Sequence, residues 1–343
     1  MRIVTFGELL MRLSPPGYGR FAQAENYAVH YGGAEANTAI TLAQLGHDVD
    51  FVSAIPDTDI GKGALREIKK WGVHTSHVLQ KGQKMGLYFM EKGVSIRGGN
   101  VIYDREGSSF YEIDASTFSW DKIFQDADWF HWTGITPGLS AGAAASCLKA
   151  IEAAKQRGVK VSCDLNYRSK LWNYGVDPRQ VMPRLIAGCD IVLANELDVA
   201  QYLGVVPAKK DYELHERFGE RSYTFISKAL AERFPGVSKI VSTLRQTLSA
   251  THNLWSAVIY DGTEFIHGPT FEINNIVDRV GGGDSFIGAL IHGLLRSDAD
   301  DKALEFALAA SSLKLTIPGD YNILSEKEIT SFLDKKNVGR LSR

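Results

Sequence analysis

Short apolar runs alternate with helix-like patterns along most of this 343-residue chain. Apolar runs of strand length cover residues 3–6, 50–55, 129–132, 159–163, 191–194 and 240–243. Helical spacing of apolar residues covers residues 34–45, 61–71, 141–156 and 303–315. This alternation predicts an α/β fold in which a doubly wound, mostly parallel sheet is flanked by helices on both faces.

Two stretches, residues 11–32 and 84–113, interrupt the alternation and are rich in Tyr, Gly and Arg. They contain strand-like pieces at residues 86–90 and 100–105, so they predict strands outside the main sheet. A third stretch, residues 208–235, is unusually charged and predicts a helical insertion.

Composition narrows the kinds of partner. The net charge is −2 and no block of Lys or Arg is present, which argues against nucleic acid or a membrane surface as the main partner. The three cysteines, Cys147, Cys163 and Cys189, are odd in number and lie in apolar surroundings, so reduced thiols are expected. The apolar run within residues 1–8 is too short for a signal peptide and is interrupted by Glu8. We therefore expect a cytoplasmic protein.

A glycine run near the C-terminal end gives the strongest chemical signal. Gly281, Gly282 and Gly283 precede Asp284, and the apolar spacing after them predicts a helix that begins at the glycines. The first N–H groups of a helix have no internal partner, so this turn can bind an anion such as phosphate. A carboxylate beside a phosphate suits a base that takes a proton from an attacking hydroxyl. The alternative is a glycine-rich turn with Asp284 as its N-cap.

Three further motifs lie at the start of a predicted helix or directly after a predicted strand, and the end of a strand is where open α/β sheets bind ligands. Gly32-Gly33 and Asn37 open one predicted helix, whereas residues 164–168 and 194–198 each follow a predicted strand. Each motif also has a structural reading, as a turn or a surface ion pair. Neither a P-loop nor a dinucleotide fingerprint is present.

Residues 278–286, Asp-Arg-Val-Gly-Gly-Gly-Asp-Ser-Phe, resemble the signature of the ribokinase-like (PfkB) sugar kinases, D-T-x-G-A-G-D-x-F. The departures at Arg279 and Gly282 are similar to the branch of this family that phosphorylates 2-keto-3-deoxygluconate. The resemblance extends over nearly the whole chain. It implies a core of residues 1–10, 33–83 and 114–335 and a small β-sheet lid of residues 11–32 and 84–113.

The resemblance also implies roles for individual residues. Asp284 would be the catalytic base, the N–H groups of Gly281, Gly282 and Gly283 the anion hole, and Arg168 the group that neutralises the transferring phosphate. Gly33 and Asn37 would contact the sugar. ATP would contact Asn166, Asn195, Thr243, Arg245, Gly281 and Gly283. Mg²⁺ would have no direct protein ligand and would be held through water by Asn195 and Asp198, where Asp198 replaces the usual glutamate and Glu196 offers a second carboxylate. A requirement for a monovalent cation stays open.

The lid residues bear on the acceptor. Tyr88, Tyr103 and Arg105 resemble the residues with which ketodeoxygluconate kinases hold the sugar acid, and Asp320 resembles a later acid that reaches the substrate. Arginines at positions 12, 105 and 168 suit an anionic acceptor better than a neutral one.

The expected activity is therefore ATP-dependent phosphorylation of 2-keto-3-deoxy-D-gluconate to its 6-phosphate. Two alternatives stay open: a kinase of a neutral sugar such as fructose or ribose, and a non-catalytic sugar sensor on a kinase scaffold. Apolar and aromatic lid residues, among them Phe89, Phe110 and Tyr111, would leave one sheet face exposed. We therefore expect a homodimer or a higher homo-oligomer formed through the lid.

Overall fold

The computed structural model of the protein describes residues 1–206, 219–297 and 299–334. The strands in these ranges are β1 (Arg2–Phe6), β2 (Leu10–Ser14), β3 (Ala28–Gly32), β4 (Asp48–Ile55), β5 (Val78–Gln80), β6 (Gly86–Glu91), β7 (Asn100–Asp104), β8 (Trp129–Thr133), β9 (Lys160–Asp164), β10 (Ile191–Leu193), β11 (Lys239–Ser249), β12 (His252–Tyr260), β13 (Phe265–His267) and β14 (Phe271–Ile273).

The helices in the same ranges are α1 (Ala34–Gln44), α2 (Asp59–Lys70), α3 (Trp120–Ile123), α4 (Ala141–Gln156), α5 (Pro178–Ile186), α6 (Glu196–Leu203), α7 (Glu220–Arg233), α8 (Gly282–Arg296), α9 (Asp300–Lys314) and α10 (Glu326–Leu333). A 3₁₀ turn spans Phe21–Gln23.

Ten of these strands form the main sheet, in the order β13-β12-β11-β10-β9-β8-β1-β4-β5, with β14 also paired to β12. From β11 to β5 every neighbouring pair is parallel. Strands β12, β13 and β14 pair antiparallel and form one edge. The central strands read as nearly continuous apolar runs because helices cover both of their faces.

Two apolar cores lie on opposite faces of this sheet. One contains side chains of α1, α2, α8, α9 and α10, among them Ile40, Phe286 and Leu308. The other contains side chains of α3 to α7, among them Ile151 and Tyr202. The predicted doubly wound α/β fold is thus confirmed.

The other four of these strands form a separate sheet in the order β3-β2-β6-β7, which lies within the two stretches that interrupt the sequence pattern apart from Leu10 at the start of β2. We call this sheet the lid. Side chains alternate between its two faces. Tyr88 and Tyr103 are cross-strand partners on one face, whereas Phe89 and Ile102 are partners on the other.

One detail differs from the sequence prediction. Phe110 is fully buried in the second apolar core and Tyr111 packs against that core, so neither belongs to an exposed lid face.

Helix α7 accounts for the C-terminal part of the charged stretch 208–235, while residues 207–218 lie outside the described ranges. Within those ranges, no helix combines the length and the apolar character that crossing a membrane requires.

Candidate active site

A cavity of about 960 Å³ opens between the lid and the carboxyl ends of β9, β10 and β11. All the site residues predicted from the sequence line it: Gly33, Asn37, Tyr88, Tyr103, Arg105, Asn166, Arg168, Asn195, Asp198, Thr243, Arg245, Gly281, Gly282, Gly283, Asp284 and Asp320. Open α/β sheets bind ligands at this edge because the loops and helix N-termini converge there.

The glycine run begins helix α8, as predicted. Gly281 is the N-cap residue with φ 79°, and a side chain there would collide with the carbonyl oxygen of Asp320. A residue with a Cβ would therefore displace the turn. The space beside Gly283 is open, so a ligand can approach the unpaired N–H groups of the first helical turn. Since Gly281 occupies the N-cap position, the alternative of Asp284 as the N-cap is wrong.

Asp284 lies one residue further into α8, at the floor of the cavity. Its Oδ2 accepts a 2.6 Å hydrogen bond from the Nδ2 of Asn37. Burial raises the pKa of Asp284 to about 6, and the Asn37 bond and the charge of Arg168 oppose that rise. A carboxylate with this pKa is ionised near neutral pH and still basic enough to accept a proton.

Two arginines that line the cavity supply positive charge to it. Arg168 follows β9 and Arg245 lies within β11, and both are solvent-accessible. In the described part of the chain neither pairs with a carboxylate. Burial, and to a smaller extent the charge of Arg168, lowers the pKa of Arg245. Two unpaired guanidinium groups can bind the oxygens of a phosphate or carboxylate.

The Asn195–Asp198 pair has a structural role that the sequence prediction did not include. The side chain of Asn195 accepts the N–H of Asp198, and the Asp198 carboxylate accepts the N–H groups of Asn195 and Tyr167 at 3.1 and 2.8 Å. This capping box begins α6 and buries Asp198, whose pKa burial raises to about 6. Glu196 lines the cavity beside them, and among the residues that the structure describes its carboxylate accepts no hydrogen bond.

The lid closes the opposite wall of the cavity. The guanidinium of Arg105 lies 5.9 Å from the ring centre of Tyr103, whose ring is 6.3 Å from that of Tyr88. Its Nε donates a 2.6 Å bond to Glu8, so a buried carboxylate already balances its charge. The two terminal nitrogens of Arg105 keep their donors for a ligand, because the bond to Glu8 uses only Nε.

Arg12 does not serve the cavity, so its predicted contribution to an anionic acceptor site is wrong. Its side chain is fully buried and pairs with Asp278 at 2.9 Å and with Asp320 at 2.7 Å. Two carboxylates therefore satisfy its charge. Asp320 does line the cavity, and its second oxygen accepts the hydroxyl of Tyr88.

Two buried acids at the cavity were missed by sequence reasoning. Glu35 accepts three bonds on Oε1, from the N–H and hydroxyl of Thr133 and the hydroxyl of Thr136, and burial raises its pKa to about 7. Burial and the charges of Asp198 and Asp284 raise the pKa of Asp164 well above its usual range. The only sequence signal was their place inside the motifs at residues 32–37 and 164–168.

This constellation of a basic carboxylate, a helix N-terminus and unpaired arginines agrees with the family comparison. The model of the pfkB family of carbohydrate kinases matches residues 1–327 of the chain. The chain belongs to this family. The resemblance seen in its motifs is confirmed, and the protein is a sugar kinase, which removes the sensor alternative.

Individual relatives agree with this assignment. The chain is 29% identical over 337 residues to the 2-dehydro-3-deoxygalactonokinase of Haloferax volcanii, covering 98% of both proteins. The crystal structure of 2-dehydro-3-deoxygluconokinase from Thermotoga maritima matches with a TM-score of 0.91 at 40% identity, covering 97% of this chain and 99% of that one. A structure from Escherichia coli that contains ATP and Mg²⁺ shares the fold, with a TM-score of 0.77 at 21% identity and coverage of 97% and 99%.

The described residues contain no group of three or more His, Cys, Asp or Glu side chains that could hold a metal ion.

Proposed function

We propose that this kinase transfers the terminal phosphate of ATP to 2-keto-3-deoxy-D-gluconate, also named 2-dehydro-3-deoxygluconate, and forms the 6-phosphate. The observation that carries the proposal is the pairing of Asp284, beside an open helix N-terminus, with Arg105 on the facing wall of one cavity. The name of the Thermotoga maritima relative, at 40% identity, supports the same acceptor.

The acceptor would lie between the lid and α1. Its carboxylate would bind the terminal nitrogens of Arg105, with the hydroxyl of Tyr103 beside it, and its hydroxyl groups would contact Gly33 and Asn37. Gly33 suits this role because its φ of 152° and the nearby carbonyl of Glu8 leave no room for a side chain. The terminal hydroxyl would then point toward Asp284.

Asp284 would accept the proton of that hydroxyl as its oxygen attacks the terminal phosphorus of ATP. The new bond joins the sugar oxygen to phosphorus, the bond from phosphorus to the bridging oxygen breaks, and ADP leaves. The N–H groups of the Gly281–Gly283 turn and the guanidinium of Arg168 would stabilise charge on the transferring phosphate. Arg245, Thr243 and Asn166 would contact the nucleotide.

Mg²⁺ would arrive with ATP and neutralise phosphate charge when bound. Glu196 and Asn195 would contact Mg²⁺ through water. Both residues line the cavity, and the capping box fixes the side chain of Asn195. Asp198 would act mainly by orienting Asn195, because its own oxygens already accept two backbone N–H groups.

Two further proposals concern the whole molecule. We propose that two copies associate through the outer face of the lid, where Val29, Leu13, Phe89 and Ile102 form one cross-strand row. We also propose a cytoplasmic location, because Cys147, Cys163 and Cys189 are all free and buried, as expected in a reducing compartment.

The test is an ADP-release assay with ATP and a panel of acceptors: 2-keto-3-deoxygluconate, its galacto epimer, fructose and ribose. We expect the highest kcat/KM with the gluconate acid. A preference for the galacto epimer would change the assignment within the acid-specific branch, since the Haloferax volcanii relative carries that name. A preference for fructose or ribose would overturn the acid assignment.

A further inference from the structure

Lys314 is a buried cation that the proposed mechanism does not use. It is the last residue of α9, and its side chain is fully buried. Its Nζ donates to the carbonyl oxygen of Gly319 at 2.7 Å and lies 3.5 Å from that of Ile317. A lysine at this depth is uncommon, because a buried ammonium is costly unless it is paired.

Acidic and basic groups surround the ammonium. Asp278 and Asp320 stabilise its charge, with a smaller contribution from Asp284, while Arg12 opposes it. Asp278 also pairs with Lys92 at 3.1 Å and accepts the N–H of Gly319. Burial is the largest effect and lowers the pKa of Lys314 to about 8, so the side chain is still mostly charged at neutral pH.

The lysine also lies next to the glycine turn. Its Cε is 3.3 Å from the position that a Cβ on Gly281 would occupy, and the carbonyl of Asp320 closes the same space. Lys314 therefore binds the turn of residues 317–320 on one side and packs near the N-cap of α8 on the other. That turn carries Asp320, and that N-cap begins the proposed anion hole.

A simpler role is a C-terminal cap of α9, since lysines near helix ends often bind the last carbonyls. That role does not require burial. A solvent-exposed lysine could donate to the same carbonyl oxygens. Lys314 is instead buried together with two carboxylates and lies against the glycine turn.

Backbone carbonyls combined with a carboxylate are also the ligand type that binds monovalent metal ions. Here the ammonium of Lys314 already occupies the oxygens of Gly319 and Ile317. A bound K⁺ or Na⁺ at this turn would therefore have to compete with a covalently attached cation.

We propose that Lys314 is a positioning residue that replaces a bound monovalent cation: its ammonium holds the 317–320 turn against Gly281 and keeps positive charge beside the anion hole. The proposal rests on the proposed role of the Gly281–Gly283 turn. It states that this enzyme needs no monovalent metal ion for activity.

The first experiment uses the unmodified enzyme with whichever acceptor it phosphorylates. Activity is measured in KCl and in tetramethylammonium chloride at equal ionic strength, with Mg²⁺ and ATP constant. We expect kcat to agree within about twofold, because the positive charge is part of the chain. Activation by K⁺ well beyond that range would overturn the proposal.

The second experiment uses Lys314→Ala, which removes the charge and opens space for a small cation beside the carbonyl oxygens of Gly319 and Ile317. In tetramethylammonium chloride we expect kcat to fall roughly tenfold to a hundredfold, less than the loss expected for removing a direct donor. Addition of K⁺ or NH₄⁺ should restore several-fold of that loss. Lys302→Ala is the matched control, since Lys302 lies on the same helix with its side chain exposed, and it should behave as wild type in both salts.

An unchanged kcat in Lys314→Ala, or a loss that no small cation restores, would show that the lysine only caps α9. If the variant does not fold, the salt comparison on the wild type still decides. If no acceptor is phosphorylated at all, the proposed function fails, but the melting temperature of the wild type in the two salts still tests the role of Lys314. Equal melting temperatures in both salts would support an internal cation, and a melting temperature that rises only in K⁺ would exclude it.

Discussion

The side chain of Asn37 donates a 2.6 Å hydrogen bond to the carboxylate of Asp284 and so joins the first turn of α1 to the first turn of α8. Gly33 begins one of these helices and Gly281 the other. This hydrogen bond to Asp284, the proposed base, therefore fixes the position of the proposed sugar-binding turn relative to the proposed anion hole. The Oδ1 of Asn37 is buried without a partner among the described residues, which leaves it available to a sugar hydroxyl.

Asp284→Asn should fold normally and bind both substrates, with kcat lowered roughly 10²- to 10⁴-fold, the usual contribution of a general base. The amide is the same size as the carboxylate, and its oxygen can still accept the bond from Asn37. Steady-state kinetics measure kcat, and calorimetry measures the binding of ATP and of the acceptor separately. Near-normal turnover would exclude Asp284 as the base.

The pH dependence of kcat/KM gives an independent test. The base must be ionised, so activity should fall as the pH drops through the pKa of Asp284, raised by burial to about 6. In Asn37→Ala the carboxylate loses a hydrogen bond that favours its charged form, so the acidic limb should move to higher pH. Gln44→Ala, on the same helix and bonded to the Trp71 carbonyl, is the control and should leave the limb in place. An unmoved limb in Asn37→Ala would argue against titration of Asp284.

Sequence reasoning located the cavity because its residues lie in short local motifs. Glycines before Asp284 predict a helix start, and a motif after an apolar strand predicts a position at the ligand-binding edge of the sheet. Each of these inferences depends on a few neighbouring residues. The sheet and its flanking helices were predicted for a similar reason, since their period is visible along the chain.

Long-range pairing was not predictable in this way. Arg12 was expected to serve the substrate, but the chain folds so that Asp278 and Asp320, more than 260 residues away, enclose it. Glu35 and Lys314 become unusual only because other elements bury them. The antiparallel edge β12–β14 was missed as well, because the sequence analysis assigned only the start of β11 and not the hairpin that follows.

Arg105→Lys tests the acceptor. Lysine keeps a positive charge beside Glu8 but lacks the forked donors that bind a carboxylate. A charge-assisted fork is worth about 1.5 to 3 kcal/mol, so KM for 2-keto-3-deoxygluconate should rise roughly tenfold to a hundredfold. KM for ATP should stay within about twofold, since Arg105 lies on the lid. The measurement is a set of initial rates with each substrate varied in turn.

Fructose provides the control for the same variant, because it has no carboxylate. Weak activity on fructose should scarcely change in Arg105→Lys. Arg105→Ala is less informative, since it would also leave Glu8 buried without its partner. Equal losses on acid and neutral sugars would mean that Arg105 supports the lid and does not recognise the acid.

The outer face of the lid should mediate self-association. Val29 is 53% exposed and Ile102 is 47% exposed at the two ends of the row completed by Leu13 and Phe89. An apolar row on a sheet face is a common site of association. Light scattering at micromolar concentration should give at least a dimer, and Val29→Asp combined with Ile102→Asp should give a monomer.

Ile60→Asp is the matched control for this surface, because Ile60 is 50% exposed on α2 and lies outside the lid. It should leave the mass unchanged. A strictly monomeric wild type would contradict the interface, and so would a double variant that keeps its mass.

Glu35→Gln should stabilise the protein at pH 8 and have little effect at pH 5. In the folded state burial raises the pKa of Glu35 from its ordinary value of 4.5 to about 7. Between these values the folded state holds a proton that the unfolded state has lost, so wild-type stability falls as the pH rises through this window. Glutamine avoids that loss, and its oxygen can keep the bonds from Thr133 and Thr136.

Each unit of pKa corresponds to about 1.4 kcal/mol, so the advantage of Glu35→Gln should approach about 3 kcal/mol above pH 7 and disappear near pH 4.5. Denaturant unfolding at several pH values measures it directly. Glu305→Gln, on the exposed side of α9, is the control and should give no such trend. An advantage that is the same at pH 5 and pH 8 would show that Glu35 is ionised in the folded protein throughout this range.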